Sequence, residues 1–239
     1  MTEEQAKAIA EKLFTTSSGL EATKLIQADE NSGPIDELDI DTVIKLIEEA
    51  LPEVSAFVVT DDQLKAIMPH LPAEKRTEYL PHIVKAMADH AVNTAKRAAA
   101  YLAQIAHESA ELKYMAEIWG PTDQQKKYEP HTELSKTLGN TETGDGFKYR
   151  GRGPIQITGR DNYKKYGDAL GVDFIANPDL AEQAEHAFQV SCAFWKSHGL
   201  NELADAGDFK AITHKINGGL TGLADREKYF ETARKALGA

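Results

Sequence analysis

Two carboxylates nine residues apart, Glu108 and Glu117, are the side chains of this sequence best placed to move protons. Glu108 lies in the run Ala103-Gln-Ile-Ala-His-Glu-Ser109, with Ile105 and Tyr101 three and seven residues before it and Leu112 four after it. On a helix those spacings put all four side chains on one face. An acid on an apolar stripe near the C-terminal end of its helix is disfavoured as an anion by desolvation and by the helix dipole, which suits a general acid. Glu117 stands just before the Trp119-Gly-Pro121 stop, where a side chain can face water, which suits a general base. Two carboxylates in unlike surroundings are what cleavage of a glycosidic bond requires. The same spacing also fits a solvated helix end with one half-buried acid, so the pair alone leaves both readings open.

Other chemistries fail on spacing. His107-Glu108 begins an H-E-x-x-H zinc motif, but Glu111 occupies the place of the second histidine. Gly151-Arg-Gly153 begins a phosphate loop, but Gln156 stands where a third glycine belongs and no G-K-[ST] follows. No G-x-S-x-G elbow is present. Cys192 is the only cysteine, which excludes an intrachain disulfide and a cysteine-based zinc cluster and leaves it a packing role. No metal and no cofactor is expected.

The elements that must position these groups are mainly helical. Apolar periodicity and capping residues predict helices over Asp61–Met68, with Asp61 as N-cap, Pro72–Asp89, and from Asn93-Thr94 through Glu108. Residues 120–154 are rich in glycine and read as loop, with one small β-hairpin: Phe147-Lys-Tyr149 pairs with Ile155-Gln-Ile-Thr158 across Arg150-Gly-Arg-Gly-Pro154. Strand alternation then puts Gln156 and Thr158 on one face. Helices resume at Asp161–Leu170, Pro178–His198 capped by Asn177, Phe209–Ile216 ended by Gly218-Gly219, and Leu223–Leu237.

Residues 1–59 stand apart. They hold 4 lysines and arginines against 13 acids, a net of −9 out of the chain's −11. Helical segments at Ala6–Phe14 and Asp41–Leu51 suggest a small acidic helical module, followed by a main domain over 60–239. The acidity argues against a nucleic-acid surface there. The acidic turn Asp29-Glu-Asn-Ser-Gly33 does not match the register of a calcium loop. A hydrophobic share of 41% with 27% charged residues describes a globular protein, and no apolar run approaches the roughly 18 residues of a membrane span. The N-terminus lacks the basic and apolar regions of a secretory signal.

Three motifs in order carry a resemblance. Ala103-Gln-Ile-Ala-His-Glu-Ser109, Tyr149-Arg-Gly-Arg-Gly-Pro-Ile-Gln-Ile-Thr158 and Ile216-Asn-Gly-Gly-Leu220 resemble glycoside hydrolase family 19, the chitinases of plants and actinobacteria and related bacteriophage endolysins. The likeness covers about residues 60–239 and implies a lysozyme-like helical catalytic domain. It implies Glu108 as general acid and Glu117 as the residue that activates water, and the short interval between them is similar to the endolysin branch. It further implies that Gln156, Thr158, Asn162 and Asn217 bind substrate or hold the water, and that Arg226 orients the acid. Two departures bear on the branch. Thr221 stands where the chitinases often carry a glutamate, and one cysteine cannot form the chitinase disulfides. In the front module, Gly33-Pro-Ile-Asp36 with Thr42 and Ile44 resembles small three-helix peptidoglycan-binding modules, though it lacks their glycines and is one residue short.

The resemblance therefore implies an endolysin-type glycosidase that cuts β-1,4 bonds of peptidoglycan by inversion, with the two carboxyl groups roughly 6.5–9.5 Å apart. The enzyme is expected to be a monomer without membrane span or nucleic-acid partner, made in a bacterial cytoplasm without a signal peptide and acting on the wall after release. A chitinase uses the same pair on N-acetylglucosamine polymers, and a non-catalytic wall-binding protein is the alternative from another class. His107, Arg150, Arg152 and Trp119 are assigned no chemistry.

Overall fold

A computed structural model describes residues 57–239, and the expectations for the front module, including its helices and wall-binding role, lie on residues 1–56 outside the described residues. The described unit opens at Phe57, and Val59 is already buried in its core.

Helix α1 (Asp61–Ile67) is capped by Thr60 rather than Asp61. The Gln63 N–H donates to Thr60 Oγ1 at 3.3 Å and the Thr60 N–H donates to Gln63 Oε1 at 2.9 Å, a reciprocal box that satisfies two otherwise orphaned donors. Asp61 falls in the first turn instead, where Arg76 of α2 (Ala73–Asp89) pairs with it at 2.9 Å. Helix α3 (Ala95–Glu108) is capped by Thr94 and is buried at every position from Ala98 to Ala106. That alanine-rich stretch lets neighbouring backbones come close. The loop-rich region contains three short helices, α4 (Asp123–Lys126), α5 (Glu133–Leu138) and α6 (Asp145–Lys148), before α7 (Arg160–Leu170). The single helix predicted from Pro178 to His198 is divided. A 3-10 turn over Pro178–Glu182 meets α8 (Ala184–Ser197) at Gln183, whose φ of −74° and ψ of 138° are extended. Helices α9 (Leu200–Asp205), α10 (Phe209–Asn217) and α11 (Leu223–Leu237) complete the unit.

Packing centres on α3. Helix α11 lies along it, α8 packs on α2, and α9 closes against α3 and α10. Tyr101 of α3 meets Trp195 edge to face at 5.5 Å, and its hydroxyl lies 2.5 Å from Ser191 Oγ. Burial pushes the thiol of Cys192 up to about 12, in keeping with a packing role. A second, smaller core gathers Tyr149, Tyr163, Tyr166, Phe174 and Val190 beneath α7 and α8.

The hairpin contracts and shifts register. Phe147 belongs to α6, so it is unavailable for pairing. The rung forms between Arg152 and Ile157, whose N–H groups each donate to the other's carbonyl at 3.1 and 3.0 Å around a turn from Gly153 to Gln156. Gln156 adopts φ of 53°, so strand alternation does not govern where it and Thr158 point. Arg152 also bridges to Ala116.

That second bridge follows a change of course. Helix α3 ends at the predicted Glu108, but Leu112 does not extend its face as the spacing suggested: Ala110, Glu111 and Leu112 follow with φ of 49°, 58° and 61°. Three consecutive non-glycine residues in the left-handed region are costly. Side chains hold them there. Ser109 Oγ donates to the Ile105 carbonyl at 2.5 Å and accepts the Leu112 N–H at 2.7 Å. The buried Glu111 carboxylate accepts the His70 N–H at 2.6 Å and the Tyr229 hydroxyl at 2.9 Å, with His70 Nδ1 at 2.8 Å. Burial, then the Glu111 carboxylate, raises the Tyr229 phenol above its usual range, which keeps it a donor. The residue in the place of a second zinc histidine is thus an anchor between α11 and the loop after α1.

Because Ala110 is exposed and strained, Ala110→Gly should stabilise the protein by about 1 kcal/mol and raise Tm by about 2–4 °C in thermal unfolding followed by circular dichroism. Glu111→Gly should lower Tm despite the same backbone relief, because it leaves buried donors unpaired. A rise for both would show that the carboxylate anchors nothing.

Candidate active site

The predicted residues fall into two hydrogen-bonded groups and one outlier. The first group surrounds the end of α3. Glu108 is 21% exposed, and its Oε1 accepts from Nη2 of Arg226, a guanidinium only 2% exposed on α11. Arg226 Nη1 donates to Gln104 Oε1 at 2.5 Å and its Nε reaches the Thr221 carbonyl at 3.4 Å. Gln104 Nε2 donates to Thr213 Oγ1 at 2.8 Å, and that hydroxyl donates to the Phe209 carbonyl. The carboxylate therefore meets a buried cation in addition to the apolar stripe. With Oε1 engaged, Oε2 accepts no hydrogen bond from the described residues.

His107 tightens the same corner. Its Nδ1 lies 2.7 Å from Asp225 Oδ2 at the start of α11. Gly222 has φ of 72°, and a Cβ there would sit 2.5 Å from the His107 ring. Both demands call for glycine, and together they seat the 218–222 loop against the end of α3.

The second group forms around Glu117, on an extended segment. The Glu117 N–H donates to the Gly151 carbonyl at 2.8 Å and the Gly153 N–H donates to the Met115 carbonyl at 2.8 Å. The carboxylate accepts Gln125 Nε2 at 2.9 Å on Oε1 and the Gly151 N–H at 3.1 Å on Oε2. Gln125 uses its whole amide, donating also to the Ile118 carbonyl and accepting the Thr122 and Gly120 N–H groups. A Cβ on Gly151 would lie 2.8 Å from Gln156 Oε1 and 3.4 Å from Glu117 Cβ, so Gln156 and Glu117 share the space above that glycine. Thr158 Oγ1 donates to the Gln156 carbonyl at 3.0 Å, and Asn162 Nδ2 donates to the Thr158 carbonyl at 2.8 Å. These four predicted residues are contiguous. Asn217 is the outlier: it ends α10, is exposed, and its side chain makes no hydrogen bond with the described residues.

An aromatic cluster extends the second group. Burial, then the neighbouring Glu117 carboxylate, pushes the Tyr128 phenol above its usual range, so it stays protonated beside that acid. Trp119 lies between Tyr128 and Phe147, with ring centroids 6.2 and 5.5 Å away. Phe147 is held out by its helix. The Asp145 carboxylate accepts the Thr141 and Glu142 N–H groups at 2.9 and 3.0 Å and pairs with Arg160 at 2.7 Å. Burial alone would raise the Asp145 carboxyl, but Arg160 and those amides outweigh it and hold the group below the usual carboxylate range. Arg152 is structural, its buried guanidinium donating to the Lys148 carbonyl, Tyr163 Oη and Asp179.

Gln104, Thr213, Gln125 and Tyr128 escaped the sequence reading. Gln104 carried a signal, since it is polar, precedes Glu108 by four residues and shares its face. Gln125 carried another, the Thr122-x-x-Gln125 capping pattern. Nothing local distinguishes Thr213 or Tyr128. Removing the cation tests the first group: Arg226→Ala leaves Gln104 and Glu108 without their donor and should cost about 3–5 kcal/mol in urea unfolding. A loss below about 1 kcal/mol would show that the network does not hold this corner.

Comparison with known proteins identifies the family. The chitinase class I model of glycoside hydrolase family 19 matches residues 80–204. A glycosyl hydrolase family 19 domain-containing protein of Haemophilus influenzae is 41% identical over 113 residues, 44% of this chain and 54% of that one. An endochitinase of Arabidopsis thaliana is 40% identical over 122 residues, 51% of this chain and 38% of that one. The chain thus spans about half the length, or less, of these curated relatives. Chitinase C from Streptomyces griseus superposes with a TM-score of 0.63 at 26% identity, covering 78% of this chain and 96% of that one. With the family match spanning more than half its length, the chain belongs to glycoside hydrolase family 19.

Proposed function

We propose that this protein is an endolysin-type enzyme that hydrolyses β-1,4 glycosidic bonds of bacterial peptidoglycan, as a monomer, by single displacement with inversion. The observation that carries the reading is that two carboxylates are fixed by separate supports in unlike ways. Glu108 is gripped through one oxygen by buried Arg226, and Glu117 is held through both oxygens by the Gly151 N–H and Gln125.

The roles follow from what each group leaves available. Arg226 engages Glu108 Oε1, so Oε2 delivers the proton to the leaving oxygen as the glycosidic bond breaks. Two fixed N–H donors orient Glu117, whose remaining lone pairs take a proton from the attacking water. Oxygen attacks the anomeric carbon while the leaving oxygen departs protonated, so one water is consumed and Glu108 and Glu117 exchange protonation states. Gln156 and Thr158 line the sugar path beside Glu117, and Asn162 supports them from α7. Asn217 meets the substrate from the end of α10.

Chitin is the second reading, favoured by the names of the relatives, which include endochitinases and chitinase C. Mass spectrometry of digests of purified peptidoglycan, with chitin oligomers in parallel, separates the two. Release of muropeptides by wild type supports the first reading, and cleavage of chitin oligomers alone establishes the second. Glu108→Gln should reduce turnover about 10²–10⁴-fold with Tm within a few degrees of wild type. An active, folded Glu108→Gln variant would overturn the assignment of the acid.

A further inference from the structure

Arg150 differs from every other arginine among the described residues. Arg76, Arg97, Arg152, Arg160, Arg226 and Arg234 each pair with an aspartate or glutamate. Arg150 pairs with none of the described acids, in a chain whose net charge is −11. Its guanidinium lies 4.4 Å from the centroid of the Phe147 ring, and Nη1 donates to the Phe147 carbonyl at 3.2 Å. Phe147 is 50% exposed and rests edge-on against Trp119. Arg150 immediately precedes Gly151, the residue whose N–H holds the Glu117 carboxylate.

A second pair repeats the pattern beside Gln156. Tyr114 is 40% exposed, the Lys113 ammonium lies 5.1 Å from its ring centroid, and Gln156 Nε2 reaches its carbonyl at 3.4 Å. Lys113 likewise pairs with no described acid. The Glu117–Gln156 group is thus flanked on two chain segments by an exposed aromatic ring carrying a cation.

An aromatic ring offers a face for a sugar, and a stacked guanidinium offers a planar fork already oriented for a carboxylate. A neutral N-acetylglucosamine polymer offers that fork single carbonyl and hydroxyl acceptors but no bidentate anion. We propose that Arg150 is a specificity-determining residue that binds a carboxylate carried by a substituent of the glycan next to the scissile bond, with Lys113 adding a second positive contact. The substrate class is therefore an acidic, carboxylate-bearing glycan, an inference that rests on the glycosidase reading of the same site.

The test uses the full chain on one peptidoglycan preparation divided in two, one half untreated and the other with its carboxylates converted to amides. Wild type should show kcat/KM roughly tenfold higher on the untreated half. Arg150→Gln should bring that ratio close to one. Arg150→Lys, which keeps the charge and loses the fork, should give an intermediate ratio, and circular dichroism should show both variants folded. Equal rates for wild type on the two halves, or a preference that survives in Arg150→Gln, would overturn this inference alone. Turnover of neither half would overturn the glycosidase reading on peptidoglycan and this inference with it.

Discussion

The buried guanidinium of Arg226 is the constraint on which the rest of the site depends. A cation removed from water must have its N–H groups engaged, and the cost of leaving one partnerless exceeds the gain from most surface contacts. Each of its three nitrogens points to a different part of the structure: the end of α3 through Glu108, the middle of α3 through Gln104, and the loop before α11 through Thr221. Satisfying that one side chain fixes the register of α11 against α3. It also fixes which oxygen of Glu108 remains open. The His107–Asp225 contact and the glycine at 222 close the same corner from the other side of the loop.

From there the chain must reach Glu117 in nine residues, and a continuing helix would carry it away along the α3 axis. The left-handed turn at Ala110–Leu112 redirects the chain, at the expense of backbone strain that Ser109 and Glu111 offset. Once redirected, residues 115–117 pair with 151–153, and this pairing brings Glu117 under the Gly151 N–H and beside Gln156. The two acids are therefore supported by different interactions. Glu108 depends on helix packing, whereas Glu117 depends on a strained turn and a single extended rung.

Much of the first support was legible in the sequence and little of the second. Helix α11 runs over the predicted Leu223–Leu237, and α3 ends at the predicted Glu108, because capping residues and apolar spacing are local signals. Arg226 entered through family resemblance. The turn after Glu108 was invisible because Leu112, Met115 and Ala116 keep helical spacing, and the residues that enforce the turn act across space, from His70 and Tyr229. The break at Gln183 lacked a glycine or proline to announce it. The hairpin shifted because Asp145, anchored by Arg160, draws Phe147 into a helical turn. Arg150 looked like an ordinary hairpin-end arginine, and only the pairing of every other described arginine sets it apart.

The proposed mechanism makes one stereochemical demand. If Glu108 protonates the leaving oxygen while Glu117 directs water to the opposite face, the anomeric centre inverts in a single step, with no covalent sugar–enzyme intermediate. Proton NMR of the reducing ends released in the first minutes of digestion, before mutarotation, reads that outcome directly. Inversion requires that the newly formed ends appear first as the α-anomer; initial appearance of the β-anomer would contradict it.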